Sequence, residues 1–160
     1  GLIRTEADEL SYSLHVLIRY EIEKMLIEED LDVEKLPRLW ADKYEEYLGV
    51  RPENPAEGVL QDIHWSQGSF GYFPSYALGS AFGVQLYYHM KEIMDFDSLL
   101  KDGRVDVIRD YLREHIHQYG KLKDSRQILK DVTGEDFNPE YYVRYLKEKY
   151  SRLYGLESKG

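Results

Sequence analysis

Along nearly the whole chain, apolar residues recur at three- and four-residue spacing, and no segment shows sustained alternation with turn pairs. That period places the apolar positions on one side of a helix. The pattern predicts an all-α protein. From about Ile3 to Glu29, the residues Ile3, Ala7, Leu10, Leu14, Leu17 and Ile18 form one apolar stripe, which Glu21 interrupts and Ile22 and Met25 resume. Beside it runs a polar stripe of Arg4, Asp8, Ser11 and His15. In one helix Arg4 and Asp8 would be i,i+4 neighbours able to pair; the bland reading is a solvated face whose surface ion pair contributes little. A second helical segment opens at Asp32 and runs to Leu48, with Pro37 in or near its first turn and Gly49 placed to end it. Residues 1–50 are thus expected as two amphipathic helices.

A proline-bearing loop, Arg51 to Glu57, leads into residues 58–79, where the helical pattern breaks. Beyond it the spacing predicts a helix from about Pro74 to Met94, in which Gly79 and Gly83 stand four apart as notches for the close approach of another backbone. Asp95 suits the cap of a short helix ending near Gly103. Further helices are expected over Val105 to Tyr119, over Ser125 to Thr133 before Gly134, and from Asn138-Pro139-Glu140 to Gly155. Residues 1–160 read as a single helical segment, with residues 58–79 as its loop and helix start and residues 80–160 as its helical remainder.

The 160 residues suffice for one domain with a core. With 30 acidic against 21 basic residues the net charge is -9, which argues against nucleic acid as a partner. No cysteine is present, so disulfides, thiolate metal sites and thiol nucleophiles are excluded together, in keeping with a cytoplasmic protein. No apolar run approaches the roughly 20 residues of a membrane helix, and nothing resembles a signal peptide. A helical pattern that begins almost at once after Gly1 leads us to expect that the chain starts inside a longer protein or follows a cleaved tag.

The chemistry concentrates in Gly58-Val59-Leu60-Gln61-Asp62-Ile63-His64-Trp65 and the stretch after it to Gly79. His64 can donate a proton or a hydrogen bond, and Tyr72 and Tyr76 carry phenolic donors suited to a developing oxyanion. Pro74 suits the first turn of a helix, which would put Tyr76 in that turn and Tyr72 just before it. The alternative is a loop-to-helix junction in which His64 and Trp65 are simply packed and hydrogen-bonded. The histidines at 15, 64, 89, 115 and 117 include no two at four-residue spacing, so the His-Glu-x-x-His zinc motif is absent. His115 and His117 would diverge on a helix and are expected as one packed and one exposed residue. Neither a phosphate-binding Gly-x-x-x-x-Gly-Lys loop nor a Gly-x-Ser-x-Gly elbow occurs. This chain is expected to hold no metal of its own.

Ile3-Arg4-Thr5-Glu6-Ala7-Asp8 and the Gly58 to Trp65 run resemble two signature motifs, IRxxAD and GxxQDxHW, of the zinc metallocarboxypeptidases typified by thermostable Taq carboxypeptidase. Both are complete and in order, and Gly-Tyr-Phe-Pro-Ser-Tyr-Ala-Leu-Gly after them also looks like that family. The resemblance spans essentially this whole chain but only the C-terminal portion of the family's. It implies an all-α, cytoplasmic, usually homodimeric enzyme that removes single residues from peptide C-termini. It implies too that zinc and its HExxH helix belong to the complete enzyme and lie upstream. By resemblance Arg4 recognises the substrate carboxylate and Asp8 orients it. His64 with Tyr72, Tyr76 or both donates hydrogen bonds to the tetrahedral intermediate, while Gln61 and Asp62 fix the loop and the imidazole. The chain alone would then be inactive, its partners being peptide C-termini, the missing N-terminal part and a further copy. Two rival readings are a free-standing helical binding or regulatory module and one subunit of a split peptidase.

Overall fold

The first helix does not begin where the apolar stripe begins. Arg4–Glu6 form a separate 3-10 turn, and Ala7 behind it is extended at φ -67° and ψ 141°. Helix α1 spans Glu9–Glu28, and Asp8 caps it by accepting the Ser11 N–H at 2.9 Å. A capping carboxylate satisfies one of the orphan donors of a first turn and adds its charge at the positive end of the helix dipole. The continuous helix expected from Ile3 is therefore replaced by a turn and a capped helix, and Arg4 and Asp8 are not helical neighbours. The computed structural model describes residues 1–29, 31–120 and 122–156.

The face that α1 buries also differs from the one its apolar stripe suggested. Leu10 and Leu17 are 47% and 36% exposed, whereas His15 and Arg19 are both at 0% beside Val16, Ile18, Ile22 and Glu23. The cause lies in helix α2, Leu36–Leu48, which follows a 3-10 turn capped by Asp32 and ends at Gly49 in the left-handed region, φ 66°. It presents Trp40 and Tyr44, stacked at 5.2 Å, and the Arg19 guanidinium lies 4.6 Å from the Trp40 ring. An aromatic face and a phenolic hydroxyl accommodate a cation that an aliphatic neighbour would not. Ile18, Ile22, Leu36, Trp40 and Tyr44 form the core, with Leu26, Val59 and Trp65 packed on it. Full burial of each aliphatic side chain contributes about 2 kcal/mol.

Two 3-10 turns, Val59–Gln61 and Trp65–Gln67, carry the chain from Gly58 toward helix α3, Pro74–Ile93. The chain divides into two compact units, Gly1–Leu78 and the residues from Gly79 onward. The second unit contains the rest of α3, then α4 (Phe96–Lys101, capped by Asp95), α5 (Val105–His115), α6 (Ser125–Thr133) and α7 (Glu140–Tyr154). The helix expected to reach Tyr119 stops at Ile116, φ -125° and ψ -62°, and His117–Tyr119 form a 3-10 turn. His115 stacks on Tyr111 at 4.2 Å and His117 is exposed. Among the described residues there is no strand, so the fold is all-α. No described helix is long and apolar enough to cross a membrane.

The second unit buries Ala81, Gln85, Met90, Ile128 and Leu129. The close approach expected at Gly79 and Gly83 is not made among the described residues. A Cβ added at either glycine meets no atom within 4 Å, because α3 turns its other face, Ala81 and Gln85, inward.

Candidate functional site

Both motifs meet in the first unit, around the carboxylate of Asp62. The turn Arg4–Glu6 lies against the turn Val59–Gln61, whose last residue fastens them together: Gln61 Oε1 accepts the Arg4 backbone N–H at 3.0 Å, and Gln61 Nε2 donates to the carbonyls of Leu2 and Glu57 at 3.2 and 3.0 Å. Asp62 Oδ1 accepts from Arg4 Nε and Nη2 at 3.2 and 2.7 Å, and Asp62 Oδ2 accepts from Arg19 Nε at 2.6 Å. The third Arg4 contact is Nη1 to the Tyr12 hydroxyl at 3.3 Å.

Burial pushes the Asp62 carboxyl up, but hydrogen bonds from Arg4 and Arg19 and their charges outweigh it and hold it below the ordinary carboxylate range. Burial likewise works against the Arg4 cation, and Asp62 more than offsets it, so Arg4 stays charged. Behind this pair the Tyr44 hydroxyl accepts from Arg19 Nη1 and lies 3.0 Å from His15 Nδ1. Burial first, then the charge of Arg19, lowers His15 to about 4. It is therefore neutral at pH 7, with Nδ1 hydrogen-bonded to the Tyr44 hydroxyl and Nε2 a buried atom with no partner among the described residues.

The second motif's histidine stands on the open side of Asp62. His64 Nε2 lies 3.2 Å from the Tyr76 hydroxyl, and His64 Nδ1, buried and without a hydrogen-bond partner, is 3.9 Å from Asp62 Oδ1. Pro74 opens α3 and places Tyr76 in its first turn, as the sequence suggested. Phe73, 1% exposed, forms the floor: its ring is 4.3 Å from His64, and the Arg4 guanidinium lies 5.8 Å from Phe73 and 5.1 Å from Tyr76. Tyr72 is half exposed, 5.9 Å from His64 and 5.3 Å from Tyr76 between ring centres. Trp65 anchors the loop by donating its Nε1–H to buried Glu23 at 3.0 Å.

Arg4, Gln61, Asp62, His64, Tyr72 and Tyr76 are thus gathered at one place. Asp8 is not among them. Both of its carboxylate oxygens are taken by Ser11, through N–H and hydroxyl at 2.9 Å, and the carboxylate that holds Arg4 is that of Asp62 rather than the expected Asp8. Sequence reasoning passed over Arg19, Tyr12 and Phe73. A signal for Arg19 existed, since the stripe of Arg4, Asp8, Ser11 and His15 continues to position 19 at the same spacing. No group of three His, Cys, Asp or Glu able to hold a metal occurs among the described residues.

The family model for carboxypeptidase Taq (M32) metallopeptidase matches residues 1–150. The chain is 52% identical to carboxypeptidase 1 of Bacillus subtilis (strain 168), covering 98% of this chain and 31% of that protein. Against thermostable carboxypeptidase 1 of Pyrococcus furiosus it is 45% identical, covering 92% and 30%. The solved structure of Pyrococcus furiosus carboxypeptidase superposes with a TM-score of 0.89 at 45% identity, over 93% of this chain and 30% of that one. The chain spans about a third of the length of the curated relatives it matches. With two complete motifs folded into one cluster and a family match over nearly all its residues, the chain belongs to the carboxypeptidase Taq (M32) metallopeptidase family.

Proposed function

We propose that this chain is the C-terminal part of a zinc metallocarboxypeptidase that releases C-terminal amino acids from peptides, and that it supplies the grip on the substrate carboxylate and donors for the oxyanion. The observation that carries this reading is the state of Arg4. A guanidinium has five N–H donors, and the hydrogen bonds of Arg4 use one on Nε, one on Nη1 and one on Nη2. One donor remains on each terminal nitrogen, and a guanidinium can bind a carboxylate through both. Near the Arg4 guanidinium, which lies 5.1 Å from the Tyr76 ring, stands the hydrogen-bonded pair of His64 and Tyr76; when His64 Nε2–H donates to the Tyr76 oxygen, the Tyr76 O–H is the donor left for negative charge developing on a carbonyl oxygen. Tyr72 stands second to Tyr76 in this role because it is half exposed and holds no hydrogen bond to His64.

The metal of such a peptidase would be held by residues outside those described here, so the chain is inactive by itself. The exposure of Leu10 and Leu17 on the apolar stripe of α1 supports a covering segment from the rest of the enzyme. We place the complete enzyme in the cytoplasm as a homo-oligomer acting on peptide C-termini.

The test joins this chain to the preceding two thirds of the Bacillus subtilis carboxypeptidase. In that enzyme Arg4→Ala should raise KM for peptides with a free C-terminus by about 100-fold, the loss of a charged bidentate contact of roughly 3 kcal/mol, with a smaller change in kcat. Equal losses on free and amidated C-termini would remove Arg4 from that role.

A further inference from the structure

Arg4 and Arg19 share one carboxylate but are engaged differently. Four donors of Arg19 make hydrogen bonds, Nε to Asp62 Oδ2 at 2.6 Å, Nη1 to the His15 carbonyl at 2.8 Å and the Tyr44 hydroxyl at 3.0 Å, and Nη2 to Gln61 Oε1 at 2.8 Å, and Nη2 also ion-pairs with Asp62 Oδ2 at 2.5 Å. The side chain is 0% exposed. It has nothing left to offer a ligand, yet it binds both residues that hold Arg4, since Asp62 takes the Arg4 side chain and Gln61 its backbone. By occupying Oδ2, Arg19 leaves Arg4 a single carboxylate oxygen, Oδ1, on its Nε edge. Arg19 also adds a second positive charge against one negative one. Glu23, the other buried carboxylate of this unit, accepts from Trp65 and forms no ion pair with either arginine among the described residues.

Resting on the carboxylate-binding reading of Arg4, we propose that Arg19 is a positioning residue. It locks Asp62 and Gln61 so that Arg4 presents its two terminal N–H groups outward, and it leaves the cluster one positive charge in excess, which an incoming carboxylate neutralises. A lone Arg4–Asp62 pair would be neutral and free to close on itself through both oxygens. A buried cation with no free donor is costly for folding alone, and this placement gives it a task.

The measurement is arginine Nε–Hε NMR on the labelled chain, with N-acetyl-phenylalanine as the carboxylate probe and N-acetyl-phenylalaninamide as its uncharged counterpart. In the wild type the Arg19 Nε–Hε should exchange with water at least tenfold more slowly than that of Arg4, and added acid should shift Arg4 alone. In Arg19→Gln the Arg4 Nε–Hε should exchange about tenfold faster and the acid should bind about tenfold more weakly, while the amide is unaffected; Arg19→Lys should recover part of both changes. Unchanged Arg4 exchange and acid binding in a folded Arg19→Gln overturn the proposal and leave Arg4 as the carboxylate ligand. If that variant does not fold, an acid-induced shift of both arginines in the wild type overturns it equally. Wild-type binding of acid and amide alike would instead remove the carboxylate reading, and the exchange rates would still decide whether Arg19 holds Arg4 in place.

Discussion

The two units bury polar groups in opposite ways. In the unit from Gly79 the buried polar side chain is Gln85, a neutral amide that accepts the Asn138 N–H at 2.9 Å and donates to the Asp136 carbonyl at 3.1 Å. It satisfies the backbone of the turn before α7 and nothing else, which is the least costly reason to bury polarity. In the Gly1–Leu78 unit the buried polar residues are Arg4, His15, Arg19 and Glu23, all of them of ionisable type. Apolar residues of similar volume would stabilise a helix pair at least as well as a buried ion cluster. Fold maintenance therefore accounts for the polar burial of the second unit and not for that of the first, and the site is located where burial exceeds what the fold requires.

Removing the anion of the first unit should produce the largest effect. Asp62→Ala leaves two guanidiniums without their carboxylate and should lower stability by about 4 kcal/mol, read as a fall in the urea midpoint followed through Trp40 and Trp65 fluorescence. A loss under 1 kcal/mol would mean that water already screens the cluster, and the contrast between the units would fail. In the second unit Gln85→Leu should cost about 2 kcal/mol by stranding one carbonyl and one N–H, without altering the Arg4 Nε–Hε signal.

Acid sharpens the contrast further. His15 is held near 4 in the fold against an ordinary 6.5, so the unfolded chain takes up a proton that the folded one refuses. The stability tied to neutral His15 is whole above pH 6.5 and is lost as pH falls from there toward about 4. Between pH 7 and pH 5 that loss is about 2 kcal/mol, and His15→Gln should abolish this slope in urea unfolding. A slope kept in His15→Gln would assign it to another group. Smallest is Gly83→Ala, at an exposed helical position where a methyl group meets nothing within 4 Å. It should stabilise the chain by about 0.8 kcal/mol through helix propensity, a gain of a few degrees in Tm. A loss there would show that the face is covered in solution.

Local chemistry was readable wherever neighbours in sequence decide the outcome. Gly49, Gly134 and Gly155 end helices in the left-handed region at φ 66°, 78° and 63° because the next turn needs a conformation that glycine adopts freely. Asp32 and Asp95 cap where an oxygen acceptor precedes a helical run, and Pro74 starts α3. The same local logic misjudged the first helix, because Asp8 serves as an N-cap only when the chain before it bends away, and that bend is imposed by Arg4 and Gln61 across 57 residues of sequence.

The amino-acid sequence by itself determined the helical class, most helix ends and the residue types available for chemistry, since helix period, capping and turn conformation act over a few residues. Only the tertiary structure decided which carboxylate holds Arg4, that Arg19 and His15 lie inside while Leu10 and Leu17 lie outside, and that Phe73 floors the site. Those outcomes depend on groups far apart in sequence sharing a dry environment, in which an ion pair or a cation over an aromatic ring outweighs the apolar period of a single helix.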